Sequence, residues 1–316
     1  MRERIAAVLA AMRRRLSNRA ALITLVVILT PLAIVLASRI TDPGPPALTE
    51  VAPTVETSNT SPPSATPTPE PRGQRQAPSA WQLETRSNPE LAARYPLADL
   101  YTADEIAYFK EIAFGSDTSA NSSLDPDLVR TIVENRPAGS GDRIGKWDDG
   151  EVGYYVAGSP TASDLAEIES IISKLESLIP TLRFRALELS EAEVDVSMFI
   201  AFAGENDYLL EGVVASNWMS YAGLGGIGGD SFVIEKAVIF INSDHPEEIR
   251  RRAIVEEITQ ALGLTNDSWW YPDSRFYQGF SIKPGLADID EALIRLLYDP
   301  RIKPGMTIED LERMGL

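Results

Sequence analysis

The chain has 316 residues, 44% of them hydrophobic and 24% charged, with no cysteine, one histidine and a formal charge of −17. That composition supports a real hydrophobic core; the missing cysteines exclude disulfides, thiolate metal sites and cysteine nucleophiles, and the lone His245 excludes histidine-rich metal centres. Up to Ile40 seven arginines face one glutamate, leaving +6 there and −23 on the remainder, which repels polyanions and argues against nucleic acid as a partner.

Residues 20–38 read AALITLVVILTPLAIVLAS and carry no charge. A helix of that length, at about 1.5 Å per residue, crosses a hydrocarbon core of about 30 Å, although Pro31 introduces a kink. Arg13, Arg14, Arg15 and Arg19 crowd its N-terminal side. The positive-inside rule therefore predicts a cytoplasmic basic tail over residues 1–19, a single-pass membrane anchor over 20–38 and export of the rest. The competing expectation is a cleaved signal peptide, for which Val35-Leu36-Ala37 offers a small-residue cleavage site; the apolar stretch is longer than an ordinary signal core. Residues 39–80 are dominated by Pro, Thr, Ser and Ala, cannot bury enough surface to fold, and read as a semi-stiff spacer.

A helical extension is expected over residues 81–145. It contains a capping box at Thr102-Ala103-Asp104-Glu105, an apolar face of Ile106, Phe109 and Ile112, and a stop at Gly115. From 146 to 316 the pattern alternates. Residues 151–157 read as a strand with Val152, Tyr154 and Val156 on one face. Residues 163–178 read as an amphipathic helix buried through Leu165, Ile168, Ile171, Ile172, Leu175 and Leu178. Strands are expected over 182–187, 194–202 and 237–241, and the glycine-rich stretch 221–230 reads as a loop, without the Gly-Lys-Ser/Thr ending of a phosphate cradle.

Asp244 as N-cap, with Glu247 three positions on, predicts a helix to Leu262 that is ended by Gly263. Ala253, Ile254, Val255, Ile258, Ala261 and Leu262 make its second half apolar. Glu256 and Gln260 share a polar sector, since four residues at about 100° each bring them to within about 40°.

The string Glu256-Glu257-Ile258-Thr259-Gln260-Ala261-Leu262-Gly263-Leu264-Thr265-Asn266 resembles the metzincin zinc-protease motif His-Glu-x-x-His-x-x-Gly-x-x-His in spacing. In that family the histidines bind zinc, the glutamate is the general base and the glycine turns the chain. By resemblance, Glu256, Gln260 and Asn266 occupy the ligand positions, Glu257 the base and Gly263 the turn. The strand and helix order from about residue 146 onward is similar to a zincin fold, which implies an α+β domain with a mixed sheet and long helices. The string Glu-Glu-x-x-Gln-x-x-Gly-Leu-x-Asn-Asp and the ending Leu297-Tyr298-Asp299-Pro300-Arg301-Ile302-Lys303-Pro304-Gly305-Met306 also resemble a bacterial envelope family of unknown function.

A catalytic zinc needs mostly imidazole ligands. One histidine eleven positions before Glu256, at a helix start, does not supply them, so zinc proteolysis is not expected. Glu256, Glu257, Gln260, Asn266 and Asp267 are oxygen donors, a set that admits a hard cation such as calcium or magnesium. The competing reading is a polar network in which Arg252 pairs with Glu256 and Asn266 satisfies the helix end. Trp269, Trp270 and Tyr271 are either core or the wall of a ligand site. The resulting expectation is a membrane-anchored, non-catalytic, metalloprotease-like module that contacts envelope proteins or cell-wall glycopeptide. The alternative is a hydrolase with Glu257 as base.

Overall fold

Reciprocal caps and apolar stripes define most helices of the computed structural model, which describes residues 76–115, 142–204, 223–277 and 283–316. The expected anchor at 20–38, and the spacer up to residue 75, lie outside the described residues. Among the described residues no helix is long and apolar enough to cross a membrane.

The extension forms α1 (Ala80–Arg86), α2 (Pro89–Ala92), α3 (Leu97–Leu100) and α4 (Ala103–Phe114). In α4 the capping box is present: Thr102 Oγ1 accepts from the Glu105 N–H, and the Glu105 carboxylate accepts from the Thr102 N–H. The same carboxylate takes the Arg86 guanidinium at 3.0 Å, a buried ion pair that ties α1 to α4. Tyr108, Phe109 and Ile112 are fully buried, whereas Ile106 is only partly so.

Beyond it come β1 (Lys146–Trp147), β2 (Gly150–Gly158), α5 (Ala162–Leu178), β3 (Leu182–Ala186), α6 (Leu189–Ala192), β4 (Met198–Ala203), β5 (Gly223–Asp230), β6 (Val233–Asn242), α7 (Glu247–Gln260), α8 (Asp288–Leu297) and α9 (Ile308–Arg313). The sheet runs β1-β6-β4-β2-β3 with all neighbours parallel, and β5 adds antiparallel to β6, giving a mixed α+β fold. Every residue of β4 is buried, as a central parallel strand requires. Met198, Ile200 and Phe202 alternate into one continuous core with Ile239 and Ile241 of β6, the inner faces of α4, α5 and α7, and α8.

Four expectations need correction. The glycine-rich stretch is a strand, not a loop, over Gly223–Asp230. Its ladder is made by main chain alone, so the regular β6 can template it without side-chain pattern; a Cβ at Gly229 would lie 1.7 Å from the Val233 carbonyl oxygen. The two-residue connection to β6, Ser231 and Phe232, has φ of 52° and 66°. Positive φ at both positions is the backbone of a type I′ hairpin, which sequence normally signals with Asn-Gly. The strand expected from Val194 begins instead at Met198, because α6 and the turn after it occupy the preceding residues and leave Val194 exposed. Leu165 faces solvent; the first turn of α5 is held instead by Asp164, which caps Thr161 and pairs with Arg250 at 3.1 Å. Finally, Pro246 rather than Asp244 precedes α7, with no side-chain cap, and Arg250 reaches back to the His245 carbonyl.

Candidate functional site

The frame singled out in the sequence lies on the second half of α7, and its setting is decided by burial. Residues 252–264 are all buried, polar ones included. α5, β5 and β6 pack against this helix. Its terminal carbonyls are taken by side chains from far away in the chain: Trp147 Nε1 donates to Ala261 O at 2.8 Å and Tyr298 Oη to Leu262 O at 3.0 Å. Gly263 makes the turn, at φ 113°, and a Cβ there would sit 1.9 Å from the Gly145 carbonyl oxygen, so only glycine fits.

The three ligand positions of the metzincin frame are engaged with protein. Glu256 accepts an ion pair from Arg252 at 3.4 Å, one turn earlier, as expected. Gln260 Nε2 donates to Asp267 Oδ1 at 2.8 Å. Asn266 Nδ2 donates 2.8 Å to the Ile112 carbonyl, at the far end of α4. His245 sits in the turn before α7, away from these positions in sequence and structure alike.

Glu257 is 1% exposed, and its Oε2 has no hydrogen-bond partner. Burial, then the neighbouring Glu256 and Asp267 carboxyls, push its pKa well above the ordinary glutamate value. Burial also raises Asp267, reinforced by Glu256 and opposed by Arg252 and the Gln260 hydrogen bond. Glu256 is raised by burial against the pull of Arg252 and Arg275. Among the described residues no group of three or more His, Asp or Glu side chains is placed to hold a metal ion. With a Glu, a Gln and an Asn in place of three imidazoles, the donor set does not fit zinc.

After this helix, Ser268–Tyr277 closes on itself: Ser268 N–H donates to Phe276 O at 2.7 Å. Trp269, Trp270 and Tyr271 are all half-buried. Trp269 packs edge-on to Tyr277 and Tyr271 edge-on to Tyr108 of α4, so both are braced by neighbouring rings. What the aromatics conceal is a polar knot that the sequence reading missed. Asp290, fully buried at the start of α8, accepts from Ser274 Oγ at 2.5 Å, from the Arg275 N–H at 3.0 Å and from the Ala287 N–H at 2.8 Å. Tyr108 Oη donates to Ser274 Oγ at 3.0 Å, bringing α4 into the same knot. Burial lifts Asp290 to about 6 against those hydrogen bonds. A carboxylate three residues into an amphipathic helix was the available signal for a helix-start acceptor.

The chain belongs to the family described as "Protein of unknown function (DUF2927)", whose match spans residues 103–314. No curated protein matches it. Among solved structures it is similar to high choriolytic enzyme 1, a hatching enzyme zinc-protease from the medaka fish Oryzias latipes, at 14% identity and a TM-score of 0.31, over 49% of this chain and 94% of that one.

Proposed function

We propose that this protein is a non-catalytic, metalloprotease-like binding or structural module, tethered by the anchor at residues 20–38 and displayed beyond the membrane on its proline-rich spacer. The zincin-like reading rests on the spacing of Glu256, Glu257, Gln260, Gly263 and Asn266 and on the strand–helix order that leads to them. The observation that carries the non-catalytic reading is the enclosure of Glu257. A general base must come within hydrogen-bond reach of the proton it removes, and this carboxyl is 1% exposed with its proton favoured by burial and two neighbouring acids. Envelope proteins or cell-wall glycopeptide are the natural contacts of an exported acidic domain, and nucleic acid is not.

The test is digestion of a mixed peptide library by the full-length protein and by Glu257→Gln, with metal content measured on the same preparations. No cleavage by either protein, and no stoichiometric metal, is the expected result. Cleavage that the wild type performs, the variant loses and a chelator abolishes would establish the hydrolase reading instead.

A further inference from the structure

A pocket of about 480 Å³ opens beside the first half of α7, bounded by that helix, by Glu167 of α5 and by residues 283–285. Its size is in the range of small-molecule sites. Arg275 and Arg252 line it, and both are more than nine-tenths buried. Two adjacent buried guanidinium groups repel one another, and Glu256 pairs with Arg252 at 3.4 Å.

The Arg275 side chain is fixed in a specific pose. Its Nε donates to the Gly285 carbonyl at 2.5 Å and its Nη2 to the Lys283 carbonyl, so the side-on edge of the fork is occupied. Its main-chain N–H is held by Asp290. Nη1 is buried and has no hydrogen-bond partner. The end-on edge of a guanidinium is a docking face for a carboxylate oxygen. The other cations at the rim are already matched: Arg251 to Glu167 at 2.7 Å, and Lys283 to Asp273 at 3.0 Å. Burial and then Arg252 pull the Arg275 guanidinium below its usual value, against the opposing pull of the Asp290, Glu256 and Glu167 carboxyls.

At the mouth stand two exposed carboxylates from the first turn of α7, Glu247 and Glu248. A multiply charged anion such as phosphate is repelled there. A ligand with an ammonium group at one end and a carboxylate at the other matches both poles.

We propose that this pocket binds a small dipolar ligand of the amino-acid or short-peptide class, its carboxylate on Arg275 Nη1 and its ammonium group toward Glu247 and Glu248. The assignment rests on the binding-module reading and gives that module a ligand chemistry.

Calorimetric titration of the full-length protein tests it with four probes: dialanine, dialanine amide, N-acetyl-dialanine and inorganic phosphate. Dialanine is expected to bind, and the amide, which lacks the carboxylate, to bind about tenfold more weakly or worse, the loss of one charge-assisted hydrogen bond. N-acetyl-dialanine is expected to bind several-fold more weakly than dialanine. Arg275→Lys should abolish the preference for the free acid. Because Arg275 also braces the fold, the exposed Glu248→Gln provides a second variant, which should narrow the gap between dialanine and its acetylated form. The proposal is overturned if no probe binds, if the amide equals the free acid, or if phosphate binds as tightly as dialanine. These readouts do not involve cleavage, so a pocket without a ligand leaves the non-catalytic reading standing, and peptide cleavage would overturn that reading alone.

Discussion

Replacing Glu257 by glutamine should make the protein more stable at neutral and alkaline pH. The carboxyl is buried, lacks a partner on Oε2 and faces the Glu256 and Asp267 carboxyls, while the cations of the cluster, Arg252 and Arg275, act on Glu256. Its folded pKa is raised, so between the unfolded and folded values the native state keeps a proton that the unfolded chain has released. Stability is then undiminished below the unfolded value of 4.5 and falls as pH rises toward the folded pKa. Within that window each pH unit removes about 1.4 kcal/mol, so two units remove about 2.7 kcal/mol, a large share of a typical total of about 5–15 kcal/mol. Glutamine keeps the shape and never ionises. Urea unfolding at half-unit steps from pH 4.5 to 8, followed by tryptophan fluorescence, gives the stability difference between variant and wild type. That difference should grow with pH in favour of Glu257→Gln, while the slope due to Asp290 largely cancels in the subtraction. Parallel curves, or a variant that loses ground as pH rises, would refute the enclosure of this carboxyl and with it the main argument against catalysis.

Gly263→Ala should cost more than about 3 kcal/mol, because a residue with φ of 113° is strained by any side chain and this Cβ would collide with the Gly145 carbonyl; thermal melting measures it. Asn266→Ala should cost about 1–2 kcal/mol by leaving the Ile112 carbonyl without that donor, with faster amide exchange confined to the end of α4. Ser231→Gly should add about 1 kcal/mol of stability by relieving a positive φ in the β5–β6 hairpin, seen as a raised denaturation midpoint.

Much of the fold was legible where local chemistry carries the signal. The capping box at Thr102, the apolar stripe from Ile168 to Leu178 and the continuous apolar run of β6 each state their own structure within a dozen residues. β5 has no such signal, since five of its eight residues are glycine and its partner supplies the pattern. Ser231-Phe232 likewise gives no hint of a tight hairpin; Phe232 is accommodated there beside the Arg143 guanidinium and Gly305. At the site, the i,i+4 pair of Arg252 and Glu256 was readable because both residues lie on one helix. The partners of Asn266 and Ala261 are 154 and 114 positions away, and no local pattern encodes them.

Those distant contacts explain why introducing histidines at positions 256, 260 and 266 would not by itself create a metal centre. A zinc site needs its three ligands to converge on a point that also admits water and substrate. Asn266 instead reaches α4, Gln260 is bound to Asp267, and Glu257 is walled in by the packing that buries all of residues 252–264. The extension is part of this closure: Ile112 takes Asn266, and Tyr108 braces both Tyr271 and the Ser274–Asp290 knot. A helix whose polar sector is also a packing face gains its stability from contacts that catalysis would have to break. The accessible space beside α7 lies one to two turns nearer its N-terminus, in the pocket lined by Arg252 and, from the following loop, Arg275.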